Sequence, residues 1–169
     1  PGAENAFGAV AQAYADAVPL VVLPAGFARD LTDVEPRFNA SHAYRSVTTH
    51  REQVTVPEST PNAIRRAFHR ARNGRPGPAL VEFPGDVLTA AVDSEQVPDY
   101  RPTRRIRSAP DPGSITSAVD AIVAADRTVI YAGQGVHYAQ AWAQLRAIAE
   151  RLDAPVCTSI QGKGAFLET

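Results

Sequence analysis

With 169 residues, 44% of them hydrophobic, the chain can bury a sizeable core in one domain or two small ones. A net charge of −1, from 17 basic and 18 acidic residues, argues against a nucleic-acid or membrane-surface partner, and no apolar run approaches the ~20 residues of a spanning helix. The one cysteine, Cys157, excludes an internal disulfide and suits a reducing, cytoplasmic setting.

Ala6, Phe7, Val10, Ala11 and Tyr14 share one helical face, predicting a helix that starts at Pro1-Gly2 and ends near Asp16. Its free N-terminal N–H groups favour polar or anionic ligand atoms. Leu20-Val21-Val22-Leu23, between Pro19 and Pro24, reads as a buried parallel strand. Residues 25–43 read as a long loop with one helical turn, uncommon unless functional. The carboxylates Asp30, Asp33 and Glu35 lie in it without a partner pattern. Residues 44–48 read as a short strand. Thr60 as N-cap and Pro61 as first helical residue open a second helix, with Ile64, Ala67, Phe68 and Ala71 on its apolar face and Gly74 after its end. A strand over residues 79–83 closes this unit.

Residues 90–112, with four prolines and four arginines, read as a solvated linker. Ile115, Ala118, Val119, Ile122 and Val123 predict a helix with Ser114 near its cap. A strand over 128–132, a glycine turn at Gly133-Gln134-Gly135, a helix striped by Trp142, Leu145, Ile148, Ala149 and Leu152, and a strand over 155–159 follow. This is βαβ grammar: an α/β class with parallel sheets and a ligand edge at the strand C-termini.

Gly133-Gln134-Gly135 lacks the third glycine of a dinucleotide fingerprint, so a phosphate contact and a plain tight turn both stand. Gly162 and Lys163, after the next strand, belong on the same sheet edge, where Lys163 is placed to meet a phosphate. The four histidines show no metal spacing, and no metal ligands are expected. His42, near Phe38 and Asn39, is the one suited to line a site. Cys157, within a strand, reads as a buried thiol.

Four stretches, in order, resemble the thiamine-diphosphate-dependent enzymes of the acetolactate synthase and 2-oxo acid decarboxylase superfamily. Pro1-Gly2-Ala3-Glu4-Asn5 is similar to that family's Gly-Pro-Gly-x-x-Asn segment. Gly74-Arg75-Pro76-Gly77-Pro78, running into Pro84-Gly85-Asp86-Val87, resembles the end of its pyrimidine-binding domain. Val129-Ile130-Tyr131-Ala132-Gly133-Gln134-Gly135-Val136 resembles the opening of its central domain, and Pro155-Val156-Cys157-Thr158-Ser159 with Gly162-Lys163-Gly164 that domain's next strand and loop. The resemblance implies residues 1–89 as the C-terminal part of a pyrimidine-binding domain, 90–112 as linker, and 113–169 as the N-terminal part of a Rossmann-like central domain. It also implies an internal piece of a longer chain, with the catalytic glutamate and the Mg²⁺ and diphosphate ligands outside it, and inactive alone.

Residue by residue, the resemblance sets Pro1, Gly2 and Asn5 near the aminopyrimidine. It sets Phe38 and Asn39 where acetolactate synthases carry Phe-Gln, facing thiazolium and substrate, with His42 nearby. Gly133, Gln134, Gly135, Gly162 and Lys163 would line a central groove that holds FAD in some relatives and ADP or nothing in others. The implied reaction is attack of the cofactor ylid on a 2-oxo acid, with loss of CO₂ and transfer or release of the aldehyde unit. A homodimer or homotetramer is implied, without nucleic acid or membrane. The alternative from the residues alone is a non-catalytic nucleotide-binding α/β module using the Gly133 and Gly162 turns.

Overall fold

The computed structural model describes residues 1–167. The chain divides into two units, Pro1–Arg107 and Ser108–Thr169.

The first unit is built on strand β4 (Pro78–Pro84), buried at every position except the half-buried Phe83. Strand β1 (Leu20–Val22) pairs with its first half and β2 (Ala25–Gly26) with Phe83 and Pro84. Strand β3 (His50–Gln53) pairs with residues 79–82. All pairings are parallel, and a strand sandwiched between two layers must be apolar on both faces. Period-two alternation sends Ala79 and Val81 toward helix α3 (Thr60–Arg72), where they pack with Val54, Ala63, Ala67, Ala71 and Val87. Leu80 faces the other way, into Val10 of helix α1 (Gly2–Ala15), Ala40 of the short helix α2 (Ala40–Ala43), and Tyr44. The result is a helix–sheet–helix sandwich, as expected. A further short helix, α4 (Gly85–Leu88), follows β4 directly.

Four local expectations are corrected. Residues 44–48 are not a strand: Tyr44–Val47 form a 3₁₀ turn, closed where the Thr48 hydroxyl donates to the Tyr44 carbonyl, and the strand starts at His50. The run at residues 20–23 is less buried than its apolarity suggests, with Leu20 and Leu23 38% and 54% exposed; β1 is paired with β4 alone among the described residues. The cap of α3 is Ser59, one residue earlier than expected, so Thr60 is already helical and its hydroxyl donates back to the Pro57 carbonyl. The buried stripe of α3 is Ala63, Ala67 and Ala71, while Phe68 faces outward: only small side chains fit where the helix lies against β4. Gly74, at φ +71°, follows the helix as expected.

In the second unit, β5 (Ile130–Ala132) and β6 (Val156–Thr158) form a parallel pair. The crossover carries α6 (Gly135–Ala139) and α7 (Trp142–Leu152), giving the expected βαβ connection. Ala132, Leu145 and Ala165 form its small core. Helix α5 (Pro112–Val123) is capped by Asp111, with Ser114 in the first turn beside it as expected: the Asp111 carboxylate accepts the Ser114 N–H at 2.7 Å. Aspartate reaches an N3 amide well, and that bond holds the Asp111 carboxyl below its ordinary range. The predicted apolar face of α5 buries no residue within this unit. Cys157 is exposed rather than buried, because the alternation of β6 turns it outward. No helix among the described residues is long and apolar enough to cross a membrane.

Candidate functional site

The C-terminal end of a parallel strand is where α/β sheets bind ligands, because loops diverge there and leave a crevice. In the first unit a cavity of about 590 Å³ opens at this end of β4. Pro1, Gly2, Ala3 and Glu4 line it from the start of α1, residues 22–27 from the β1–β2 segment, and Phe38 and Ala40 from the third side. Two carboxylates line it, Glu4 and Glu82, and of these only Glu82 is buried.

Glu82 is the residue that sequence reasoning missed. It sits on the Leu80 face of β4 and is only 2% exposed. A buried carboxylate needs hydrogen bonds to offset its lost hydration. It has them from backbone: Ala40 N–H donates to Oε1 at 3.3 Å and Ser41 N–H to Oε2 at 3.0 Å. Gly26 makes room for it, since a β-carbon there would lie 2.7 Å from Oε1. A signal was present: Glu82 is the lone charge in an otherwise apolar strand run, and a buried charge is more informative than a buried leucine.

The loop above Glu82 is fastened at several points. Asn39 is the N-cap of α2, its Oδ1 accepting the His42 N–H (3.0 Å) and the Ser41 hydroxyl (2.8 Å), while its Nδ2 donates to Asp33 (2.9 Å). Asparagine suits this place because its short amide reaches its own N3 amide, which a glutamine overshoots. The Tyr44 hydroxyl donates to the Ala3 carbonyl, and the Phe7 and Tyr44 rings meet edge to face at 5.1 Å. Burial pushes the Tyr44 phenol above its ordinary pKa. Arg29 clamps the loop's start, with Nε 2.6 Å from Asp86 and Nη1 donating to the Thr55 carbonyl at 2.7 Å. That guanidinium holds the Asp86 carboxyl below its ordinary range.

Of the residues singled out in this unit, Pro1, Gly2 and Phe38 line the large cavity. Asn5 is not among its lining residues. Asn39 instead borders a recess of about 10 Å³ with Asp33, Gln53 and Glu82. His42 is exposed, with Nδ1 3.6 Å from Asp33.

The second unit brings its two glycine loops together. A β-carbon on Gly162 would lie 2.4 Å from the Ala132 carbonyl oxygen and 3.1 Å from Gly133 Cα, so glycine is required by close approach. The Ser159 N–H donates to Ala132, and the Gly162 N–H to the Ser159 hydroxyl, both at 3.0 Å. The Trp142 indole donates to His137 Nδ1 at 3.0 Å, which leaves Nε2 as the protonated nitrogen, donating to the Lys163 carbonyl at 3.1 Å. Gly133, Gln134, Gly135, Gly162 and Lys163 thus share one edge. A separate cavity of about 460 Å³, lined by Trp142, Arg146 and Phe166 among others, includes none of these five. Among the described residues no three His, Cys, Asp or Glu side chains gather as metal ligands.

Residues 115–169 match the family model described as thiamine pyrophosphate enzyme, central domain. The chain is 34% identical over 178 residues to a probable acetolactate synthase large subunit of Methanocaldococcus jannaschii, covering 99% of this chain and 29% of that protein. It is 38% identical to the acetolactate synthase large subunit of Corynebacterium glutamicum, covering 100% of this chain and 28% of the relative. Against the acetolactate synthase isozyme 3 large subunit of Escherichia coli the identity is 35%, over 100% of this chain and 30% of the relative. The chain therefore spans less than a third of the length of the curated relatives it matches. The chain is thus similar from end to end to stretches of acetolactate synthase large subunits, and over residues 115–169 to the central domain of thiamine pyrophosphate enzymes.

Proposed function

We propose that the whole protein is a thiamine-diphosphate-dependent 2-oxo acid decarboxylase or carboligase of the acetolactate synthase type. The observation that carries this is the end-to-end match to acetolactate synthase large subunits. The first unit fits the cofactor's ring. Its cavity is largely apolar, stands at the C-terminal end of a parallel strand, and holds one buried carboxylate. When bound, thiamine diphosphate supplies the electron sink for loss of CO₂ from a 2-oxo acid.

This chain's residues bind and orient. Pro1 and Gly2 border the aminopyrimidine, with Asn5 close by on α1. Phe38 walls the substrate side and keeps water from it. Asn39 and His42 orient substrate oxygens, which requires the Asn39 amide to exchange a cap bond for a substrate bond. Gly133, Gln134, Gly135, Gly162 and Lys163 form the central-domain groove, for FAD or ADP. The ligands of Mg²⁺ and the cofactor's diphosphate lie on parts of the protein outside this chain. In this reading residues 1–89 close the pyrimidine-binding domain, 90–112 link, and 113–169 open the central domain. The protein works in the cytoplasm as a homodimer or homotetramer.

The test is CO₂ release from a panel of 2-oxo acids by the intact protein, with and without thiamine diphosphate and Mg²⁺. The expected result is cofactor-dependent release with at least one acid and a condensed or free aldehyde product. Release from none, with the cofactor bound, would remove the proposal.

A further inference from the structure

We infer that Glu82 is a positioning residue: from the central strand it holds the 38–41 segment against the candidate site through the backbone, and so sets where Phe38 stands. The inference rests on the proposed function for what Phe38 faces, and on geometry alone for the hold itself.

Three observations converge on it. Glu82 is 2% exposed, yet its partners are amides rather than a cation. Those amides belong to Ala40 and Ser41, the first two residues of α2, which no main-chain bond within that helix can satisfy. Each carboxylate oxygen takes one of them, so the strand and the segment are joined by a two-point bond that fixes position and rotation together. Gly26, on the adjoining strand β2, has no β-carbon where one would strike Oε1.

The alternative is that Glu82 contacts a ligand directly, since it also lines the large cavity. The geometry favours the hold: both oxygens are already engaged by the segment that carries Phe38 and Asn39. A carboxylate in this role sets the site's shape and transfers no proton.

The test uses the intact enzyme and two variants, Glu82→Gln and Gly26→Ala. Glutamine keeps the shape but replaces one acceptor oxygen with a donor facing an N–H. The added methyl of Gly26→Ala leaves Glu82 in place and displaces its carboxylate. The first readout needs no turnover: hydrogen exchange in a peptide covering residues 38–44, expected to quicken at least tenfold at Ala40 and Ser41 in both variants. The second is kinetic. KM for the 2-oxo acid is expected to rise about tenfold and the ratio of condensed to free aldehyde product to change in both variants, with affinity for thiamine diphosphate within threefold of wild type in Glu82→Gln. Unchanged exchange and unchanged KM in either folded variant would overturn the inference. So would a tenfold loss of cofactor affinity with exchange unchanged, which marks a direct contact. Should Glu82→Gln fail to fold, Gly26→Ala alone decides. A wild-type enzyme with no cofactor-dependent turnover defeats the proposed function instead, while the exchange readout still judges the hold.

Discussion

The two units use the same grammar to different depth. In the first, β4 has strand neighbours on both sides and helices on both faces, and Leu80 and Val81 are fully buried. In the second, two strands share a small core, and α5 buries nothing within the unit. The first therefore fastens a loop over a cavity using its own residues. The second presents a glycine edge whose shape rests on backbone approach.

The contrast breaks most readily in the cores. Leu80→Ala should cost about 3–4 kcal/mol, because a side chain with no exposure on the central strand leaves a cavity its neighbours cannot fill. Leu145→Ala, at 8% exposure in the smaller core, should cost about 2 kcal/mol. Equal losses in urea denaturation would contradict the difference in depth. Gly162→Ala should cost about 1–3 kcal/mol, since the new methyl meets backbone, which cannot swing aside. A neutral result would mean the two loops are not held together as described.

In the loop, Asn39→Ala should cost about 1 kcal/mol through the lost cap of α2. In the intact enzyme it should also change the product ratio; unchanged turnover and ratio would withdraw its substrate role. The smallest effect lies at the surface. Arg66, by hydrogen bond and charge, holds the Glu52 carboxyl below its ordinary 4.5. The folded state then takes up that proton less readily than the unfolded chain. This contribution is complete above that value and fades as pH falls through the lower folded value. Arg66→Met should flatten the acid limb of a stability–pH curve by less than about 1 kcal/mol. An unchanged limb would show the pair contributes nothing.

Much of this was legible in the sequence, for physical reasons. Helix α7 and strand β4 follow from local patterning and both appear where expected, although of the α7 stripe only Leu145 and Ala149 are buried while Trp142 and Ile148 are exposed. What was not legible depended on partners distant in the chain. The stretch at residues 44–48 looks β-like, but Tyr44 is drawn into the core beside Phe7 and the chain must turn to put it there. Asn39 reads as a shortened glutamine in sequence and as a helix cap in structure. Glu82 was hidden by its own strand: amides some forty residues upstream are what let a carboxylate stand among Leu80, Val81 and Phe83. Cys157 and Phe68 went the other way, because apolar character alone does not say which face a neighbour covers.

The most direct test of the account is hydrogen exchange of the intact protein with and without thiamine diphosphate and Mg²⁺. The account predicts protection at residues 1–6, 24–27 and 38–41, around the cavity at the end of β4. Protection confined to residues 133–136 and 162–164, with the first unit unchanged, would contradict it.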